Sequence, residues 1–256
     1  MNILRSVAMA LSMFSRIPMP KVEWKSENMR CMLAALPVVG IAIGLALFGW
    51  ARLCAWLDIA KLLFAAGVAA IPVLISGGVH MDGFCDTMDA LSSRLSPERK
   101  KEILKDPHAG AFAIISFGIY ILCYFALATE LGMDNDACIM LGVMHVMSRT
   151  AGAILSSVTK SAHEGLLSAF TSSSSRASAV MLAVWFLLCS GLLIYINCIA
   201  GAMMTIAAII TLISCRIMAI RQFGGMSGDI AGFTIQLSEI VMLFVMIFTQ
   251  KAVELL

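Results

Sequence analysis

The sequence contains little charge of either sign. Its 256 residues include 16 acidic and 18 basic side chains, so charged residues make up 13% of the chain and hydrophobic residues 60%, with a mean hydropathy of +0.93. Soluble domains are about 25% charged. The composition therefore excludes an ordinary soluble domain and indicates a chain embedded in a lipid bilayer. A net charge of +2 is too small to indicate binding to nucleic acid.

The sequence also lacks paired cysteines and a signal-peptide cleavage site. Its eight cysteines stand singly, without CxxC or zinc-type spacing, which favours reduced thiols in the apolar interior. An apolar run at 7–14 is too short to span a bilayer. We expect residues 1–31 to form an amphipathic or half-buried cytoplasmic lead-in. Its basic residues are Arg5, Arg16, Lys21, Lys25 and Arg30.

Long apolar stretches are the main feature that is present. A helix needs about 20 apolar residues to cross a hydrocarbon core of about 30 Å. The sequence therefore predicts an all-α, polytopic membrane bundle of about seven transmembrane helices, with one domain over 1–256. The second stretch contains Pro72 and ends at Gly77 and Gly78, which predicts a broken cytoplasmic end. The stretches are 32–51, 62–79, 109–131, 137–158, 179–196, 199–215 and 230–249.

Lysine and arginine predict the orientation of these helices. With the N-terminus inside, the inner segments 1–31, 82–108, 159–178 and 216–229 hold 14 basic residues, and the outer segments hold three. We therefore expect 77–112 and 216–229 to lie on the cytoplasmic side, where they would form the active-site segments.

Few ionisable residues fall inside the apolar stretches. His145 and Arg149 share one face of the fourth stretch, and Glu239 lies in the seventh. Ionisable side chains at that depth are costly and usually face the bundle interior. We expect a structural ion pair between Arg149 and Glu239, with a contact to substrate as the alternative.

The scarce acids are concentrated in one segment. Asp82, Asp86 and Asp89 are spaced i, i+4, i+7, which places them on one face of a helix. At about 6 Å and an effective dielectric near 20, each neighbouring pair of carboxylates repels by roughly 3 kcal/mol. A bound cation relieves this repulsion, and oxygen ligands favour Mg²⁺ or Mn²⁺. The alternative is a solvated acidic face at a helix start.

The surroundings of the three aspartates favour a phosphate ligand. Gly77, Gly78 and Gly83 permit close backbone approach, and five basic residues follow between 94 and 105. His80 is a candidate base or hydrogen-bond donor, and a polar residue at a broken helix end is the equally weighted alternative.

Two further groups of residues complete the candidate site. Asp106 precedes Pro107, so capping the third transmembrane helix is its favoured role, and a role as ligand or base stays open. A glycine-rich segment near the seventh stretch ends in an acid and resembles a phosphate or metal cradle, although such loops alone are weak signals. It comprises Arg221, Gly224, Gly225, Gly228 and Asp229.

Four segments carry a resemblance to a known family. They are Ser-Arg-Ile-Pro-Met-Pro at 15–20, the GGxHxDGxxDxxDA block at 77–90, Lys105-Asp106 with Gly110 and Phe112, and GGxxGD at 224–229 with Gln236-Leu237-x-Glu239. In these segments the chain resembles the adenosylcobinamide-GDP ribazoletransferases, or cobalamin (5'-phosphate) synthases. The resemblance implies a membrane enzyme that joins adenosylcobinamide-GDP to α-ribazole or its 5'-phosphate and releases GMP. It also implies a requirement for Mg²⁺.

The resemblance implies roles for individual residues. Asp82, Asp86 and Asp89 would hold Mg²⁺, Asp229 would hold a second ion or orient the acceptor, and His80 or Asp106 would serve as base. The large corrinoid implies an open cytoplasmic cavity or a groove between subunits, which is compatible with a homo-oligomer. The implied substrate-binding residues are Arg16, Gly77, Gly78, Gly83, Lys105, Gly110, Arg221, Gly224, Gly225, Gly228 and Asp229.

Two other functions fit part of the pattern. The CDP-alcohol phosphotransferases also place an Asp-Gly-led acidic motif at a membrane face, but their motif has an Ala-Arg that is absent here, and Asp86 comes too early for it. A cation-coupled transporter would explain a broken helix near acids. It predicts ionisable residues near the bilayer midplane, whereas these acids gather mainly at one face.

Overall fold

The computed structural model describes residues 3–20, 22–23, 25, 29, 31–162 and 165–255, so Lys21 and Arg30 of the predicted lead-in lie outside the described residues. Within this part of the chain there are eleven helices, no strand and one isolated bridge between Ser161 and Met226. The helices are α1 (Ile3–Phe14), α2 (Met32–Trp56), α3 (Lys61–Ser76), α4 (Val79–Ser92), α5 (Pro97–Ile103), α6 (Ala111–Ala128), α7 (Asn135–Val158), α8 (Leu166–Ser173), α9 (Arg176–Ile196), α10 (Cys198–Phe223) and α11 (Gly228–Glu254).

Six of these helices, namely α2, α6, α7, α9, α10 and α11, are long and apolar enough to cross a membrane. The pair α3 and α4 together adds a seventh, bent by 96° where the two helices meet. We take the 16-residue α3 as the membrane part of this pair, with α4 turned away from it. The prediction of an all-α bundle with about seven spans and one broken end is confirmed.

The break lies at Gly77 and Gly78 and not at Pro72. Pro72 is inside α3, and the helix continues past it to Ser76. Gly77 and Gly78 then adopt φ of 67° and 81°, a left-handed conformation that only glycine adopts at little cost. Their N–H groups donate to the carbonyls of Leu74 and Val73, at 3.3 and 3.0 Å, which satisfies the end of α3 while the chain turns.

Small residues let α2 and α7 pack closely at the centre of the bundle. A Cβ on Gly40 would lie 2.5 Å from the carbonyl oxygen of His145, and one on Gly44 would lie 2.9 Å from the Cα of Gly142. Such backbone contacts replace the hydrophobic effect as the source of helix association in lipid. They also bury α7, which carries the polar core of the protein.

The polar core consists of an ion pair and of side chains that form hydrogen bonds around it. Arg149 Nη1 donates to Glu239 Oε1, and both side chains are fully buried. His145 Nδ1 lies 3.0 Å from the same oxygen, and Ser148 Oγ donates to it at 3.1 Å. The hydroxyl of Tyr124 lies 3.3 Å from His145 Nε2. The expected Arg149–Glu239 pair is confirmed, and it joins α7 to α11.

Glu239→Gln should lower the free energy of unfolding by about 3–5 kcal/mol, because the buried guanidinium of Arg149 loses its counter-charge. Two guanidinium nitrogens of Arg149, Nε and Nη2, already have no hydrogen-bond partner in the described part of the chain. Replacing both members, with Arg149→Met and Glu239→Leu, should cost less than Glu239→Gln alone. Denaturant unfolding in detergent measures all three.

The matched control for this experiment is Glu130→Gln. Glu130 pairs with Lys251 at 3.3 Å, and both side chains are about half exposed. Solvent screens such a pair, so its loss should cost less than about 1 kcal/mol. Equal losses for Glu239→Gln and Glu130→Gln would show that the buried pair contributes nothing special.

Gly78→Ala should lower the free energy of unfolding by about 1–2 kcal/mol, the cost of a left-handed alanine. A Cβ at Gly78 would meet no atom of the described residues within 4 Å. The expected loss of stability therefore comes from backbone strain and not from a steric clash. Gly191→Ala is the control, because Gly191 also faces open space but lies inside α9, where alanine favours the helix. An unchanged unfolding curve for Gly78→Ala would mean that the turn between α3 and α4 does not need glycine.

Candidate active site

Helix α4 presents its aspartates on one side and its apolar residues on the other. Asp82 is exposed, and Asp86 and Asp89 are half-buried. On the other side Phe84 is buried, with its ring 5.6 Å from that of Phe233 in α11 and 5.0 Å from that of Tyr120 in α6. The aromatic contacts fix the rotation of α4, so the helical spacing of the aspartates directs all three away from the core.

Two glycines bring α4 into backbone contact with α11. A Cβ on Gly83 would lie 2.7 Å from the carbonyl oxygen of Asp229, and one on Gly232 would lie 2.8 Å from that of His80. No larger residue fits at either place without movement of the helices. The contact brings Asp229, 140 residues away in sequence, to the aspartates of α4.

The gathered carboxylates affect one another. Burial, together with the negative charges of Asp82, Asp229 and Asp89, raises the pKa of Asp86 to about 6. Like charges and desolvation both disfavour the ionised form of a carboxyl group. A cation bound beside Asp86 would reverse this effect.

These residues fit a magnesium ion that a substrate helps to bind. Among the described residues, no three His, Cys, Asp or Glu side chains converge as a complete metal cluster. Mg²⁺ usually takes one or two protein carboxylates and completes its shell with water and substrate phosphates. The hard oxygen donors of Asp82, Asp86 and Asp229, gathered by the close approach of Gly83 to Asp229, suit that mode of binding. The magnesium assignment stays a prediction.

A cavity of about 320 Å³ opens beside α4. His80, Asp82, Gly228 and Asp229 lie in its wall with Ser156 of α7. Apolar side chains from the end of α1, the start of α2 and helix α8 form the rest of the wall. The cavity therefore joins both predicted motifs, 77–90 and 224–229, in one space.

His80 is held neutral in this wall. Its ring packs against that of Phe14, with centroids 5.8 Å apart and the planes inclined by 22°. Burial first, and then the charge of Arg149, lower the pKa of His80 to about 3, against an opposing effect of Glu239. Its Nε2 is buried and has no hydrogen-bond partner among the described residues. A neutral imidazole with a free nitrogen can accept or donate one hydrogen bond, depending on its tautomer.

The glycine-rich segment forms a pinned loop at the start of α11. Gly224 and Gly225 have φ of 69° and 153°. A Cβ on Gly225 would lie 2.5 Å from the carbonyl oxygen of Lys160. The Met226 N–H donates to that same oxygen at 2.8 Å. Ser227 then caps α11 by accepting from the N–H of Ile230. The loop is thus held against residues 160–162. Gly224 and Gly228 are exposed, and Gly225 is closely packed.

The basic residues divide into structural and available groups. Lys100 is buried and donates to Gln222, which fastens α5 to the end of α10. The Nζ of Lys101 lies about 3.1 Å from the place of a Cβ on Gly224, beside the glycine loop. Lys105 and Arg221 are exposed.

Arg16 lies at the corner between α3 and α4. Its side chain covers Gly77, with Cγ 3.0 Å from the place of a Cβ there. The backbone N–H of Arg16 donates to the carbonyl of Ile75 at 2.7 Å. The corner is therefore clamped by the segment after α1, which contains the first of the four resemblance motifs.

The predicted cap at Asp106 is wrong. Helix α6 starts at Ala111, with Gly110 as its N-cap. The exposed Asp106 accepts instead from the backbone N–H and ring Nδ1 of His108, at 3.0 and 2.7 Å, which lowers its pKa. Residues 107–109 separate Asp106 from Gly110, and Pro107 and His108 form a bend between them.

Asp89 takes over that capping role. Its Oδ1 accepts from the N–H of Ala113 in the first turn of α6, at 3.3 Å. Gly110 makes this possible, because a Cβ there would lie 2.2 Å from both carboxylate oxygens of Asp89. Gly110 therefore belongs to the structure around the aspartates, and α6 is tied to α4.

Comparisons with known proteins identify the family. The family model described as cobalamin-5-phosphate synthase matches residues 6–247. The chain belongs to the cobalamin-5-phosphate synthase family. With its six candidate spans, this member of the family is an integral membrane protein. The match places the chain with these transferases and not with either alternative considered from the sequence.

Curated relatives agree with this membership over nearly the whole chain. The chain is 36% identical over 248 residues to a protein of Lachnoclostridium phytofermentans, covering 94% of this chain and 92% of the relative. It is 34% identical to one of Clostridium botulinum (95% and 97%) and 31% to one of Desulfitobacterium hafniense (94% and 95%). All three are named adenosylcobinamide-GDP ribazoletransferase. No solved structure matches the chain.

Sequence reasoning missed two contributors to the candidate site. Phe14, which packs on His80, lies in another helix, and no local pattern indicates that long-range contact. Ser227 carries a local signal, since a serine before an apolar helical run is a typical N-cap. Its hydroxyl also lies 3.4 Å from Asp229 Oδ2, so it helps to orient a predicted ligand.

Asp89→Ala should lower the free energy of unfolding by about 1 kcal/mol, because α6 loses its N-terminal hydrogen-bond acceptor. Asp89→Asn should leave unfolding nearly unchanged, since the amide oxygen keeps that contact. Thermal unfolding in detergent measures both variants. Equal destabilisation by the two substitutions would mean that the charge of Asp89, and not its hydrogen bond, holds α6.

Proposed function

We propose that this protein joins adenosylcobinamide-GDP to α-ribazole, or to α-ribazole 5'-phosphate, with release of GMP and formation of adenosylcobalamin or its 5'-phosphate. The names of relatives that cover at least 92% of both chains support this assignment. The observation that carries it is the contact between α4 and α11, which brings Asp229 to the three aspartates of α4. Asp82 and Asp229 line one cavity, together with Gly228 of the glycine-rich segment.

In this proposal the aspartates hold the charged part of the nucleotide substrate through magnesium. Asp82, Asp86 and Asp229 would bind the ion, with Asp89 supporting them from its capping position. Mg²⁺ would neutralise the negative charge on the diphosphate. Lys101 beside Gly224 adds a second positive charge near the loop. Exposed glycines let phosphate oxygens approach backbone N–H groups.

His80 then orients the acceptor. The 3'-hydroxyl oxygen of the ribazole attacks the phosphorus nearer the cobinamide and forms a new O–P bond. The bond from that phosphorus to the bridging oxygen breaks, its electron pair leaves with GMP, and the hydroxyl proton passes to the leaving phosphate or to water. A His80 pKa of about 3 makes the imidazole a weak base, and phosphoryl transfer needs little proton removal before the transition state. His80 Nε2 therefore acts mainly by accepting a hydrogen bond from that hydroxyl. Asp106 does not line the cavity described here, which favours His80 over it.

We further propose that the protein lies in the inner membrane, with its N-terminus and this site on the cytoplasmic side. The support is the distribution of lysine and arginine, 14 against three, which favours the side that carries the 82–108, 159–178 and 216–229 segments. Adenosylcobinamide-GDP carries a charged diphosphate, and α-ribazole 5'-phosphate a charged phosphate, so a site open to the cytoplasm would receive them without their crossing the bilayer.

Purified protein in detergent should convert adenosylcobinamide-GDP and α-ribazole to GMP and complete corrinoid only with Mg²⁺, and a chelator should abolish both products. Asp82→Asn and Asp86→Asn should each lower kcat about 100-fold or more, because the ion loses a charged ligand. Chromatography of GMP and corrinoid measures the reaction.

Asp58→Asn is the matched control, because Asp58 is exposed in the turn before α3, at the other end of that helix from Gly77. It should leave kcat unchanged. Absence of turnover with either form of ribazole, from protein with a normal unfolding curve, would contradict the proposed reaction. Full turnover in the presence of chelator would contradict the magnesium assignment alone.

A further inference from the structure

An apolar groove of about 330 Å³ lies between α2, α7 and α9, away from the aspartates. The active-site cavity uses the start of α2, at Leu33 and Leu36, and the end of α7, at Ser156. The groove uses the middle of α2, from Ile41 to Phe48, and the first half of α7, from Cys138 to Val146. Its walls include Ile41, Phe48, Val143, Trp185, Leu188 and Leu192. The groove therefore extends from the middle of the bundle into the membrane leaflet opposite the aspartates.

Two glycines form the floor of the groove. Gly44 of α2 and Gly142 of α7 line the groove where their backbones touch. Because the two helices meet this closely, α9 forms a separate wall, with Trp185 and Leu188 across the opening. The result is a narrow apolar channel that is open to the side. Its shape suits an alkyl chain better than the broad surface of another protein.

A positive charge stands at the mouth of this channel. The Cζ of Arg52 lies 5.8 Å from the centre of the Phe48 ring, which forms part of the wall. Its two terminal nitrogens donate to Asn135 Oδ1 at 3.1 Å and to the carbonyl oxygen of Met133 at 2.8 Å. Both acceptors are neutral, and no described carboxylate forms a salt bridge with the exposed Arg52. The contacts fix the guanidinium but leave its charge and several N–H donors available.

The dimensions match one leaflet. Ile41 and Arg52 are eleven residues apart on α2, which is about 16 Å along a helix. Half of a hydrocarbon core of about 30 Å is about 15 Å. A guanidinium at the leaflet surface binds phosphate well, and the channel below it accepts an alkyl chain.

We propose that this groove binds one anionic phospholipid of that leaflet, with its phosphate on Arg52 and one acyl chain along Gly44 and Gly142. A net negative headgroup supplies a direct counter-charge for Arg52, whose hydrogen bonds go to the neutral acceptors of Met133 and Asn135. The site is separate from the catalytic cavity, and the proposal stands whether or not the proposed reaction is correct.

Quenching of Trp185 by brominated lipid tests this site. The full chain is reconstituted in phosphatidylcholine vesicles with increasing fractions of phosphatidylglycerol that carries brominated acyl chains. The Trp185 signal is the difference between wild type and Trp185→Phe. We expect half-quenching of the wild type at a phosphatidylglycerol fraction at least fivefold lower than for brominated phosphatidylcholine.

Variants distinguish a specific lipid-binding site from general contact with the bilayer. Arg52→Gln should raise the half-quenching fraction at least fivefold, and Arg52→Lys should stay within twofold of wild type because the charge is kept. Lys61→Gln removes an exposed cation near the end of α2 that carries Arg52 and should change nothing. Val143→Phe should reduce quenching at every fraction by filling the channel.

Three results would overturn the proposal. Equal half-quenching fractions for wild type and Arg52→Gln would show that the arginine recognises no lipid. Equal quenching by the two brominated lipids would show only bulk bilayer contact. Quenching that falls as the protein-to-lipid ratio rises would show that a second copy of the chain covers the groove. Circular dichroism of each variant checks that its helices are intact.

Discussion

The site depends on the direct contact between the backbones of α4 and α11. Gly83 and Gly232 leave no room for a side chain between the helices, so Asp229 and His80 are brought within one cavity wall. Carboxylates repel one another, and the burial of Phe84 against Phe233 and Tyr120 on the other side of α4 helps to hold the acidic face in place. Apolar packing thus stabilises an arrangement that electrostatics alone would disperse. The proposed cation would relieve this repulsion.

Much of the fold could be predicted because a bilayer imposes strong rules. Helix number, the broken end at Gly77 and the helical face of Asp82, Asp86 and Asp89 all follow from length, glycine and spacing. The Arg149–Glu239 pair could also be predicted, since charges inside a membrane need partners. These features are local or are governed by a single physical requirement.

The remainder of the site depends on contacts between distant segments, which no local pattern contains. The cap of α6 shows this: Asp106 stands next to the helix in sequence, but Asp89 from another helix supplies the hydrogen bond. Phe14 reaches His80 in the same way. The division of the lysines into the buried Lys100 and the available Lys101 depends on how α5 docks against α10. Such outcomes need the packed structure.

The shortness of α3 sets the depth at which the chemistry takes place. Sixteen residues reach about 24 Å, which is less than a hydrocarbon core of about 30 Å. The corner at Gly77 and the acidic helix after it therefore sit below the plane that the longer neighbours reach, or the bilayer thins around them. Either response to hydrophobic mismatch makes the hydration of the aspartates depend on the thickness of the surrounding membrane. Lipid composition thereby becomes a determinant of the ionic environment in which phosphate is handled.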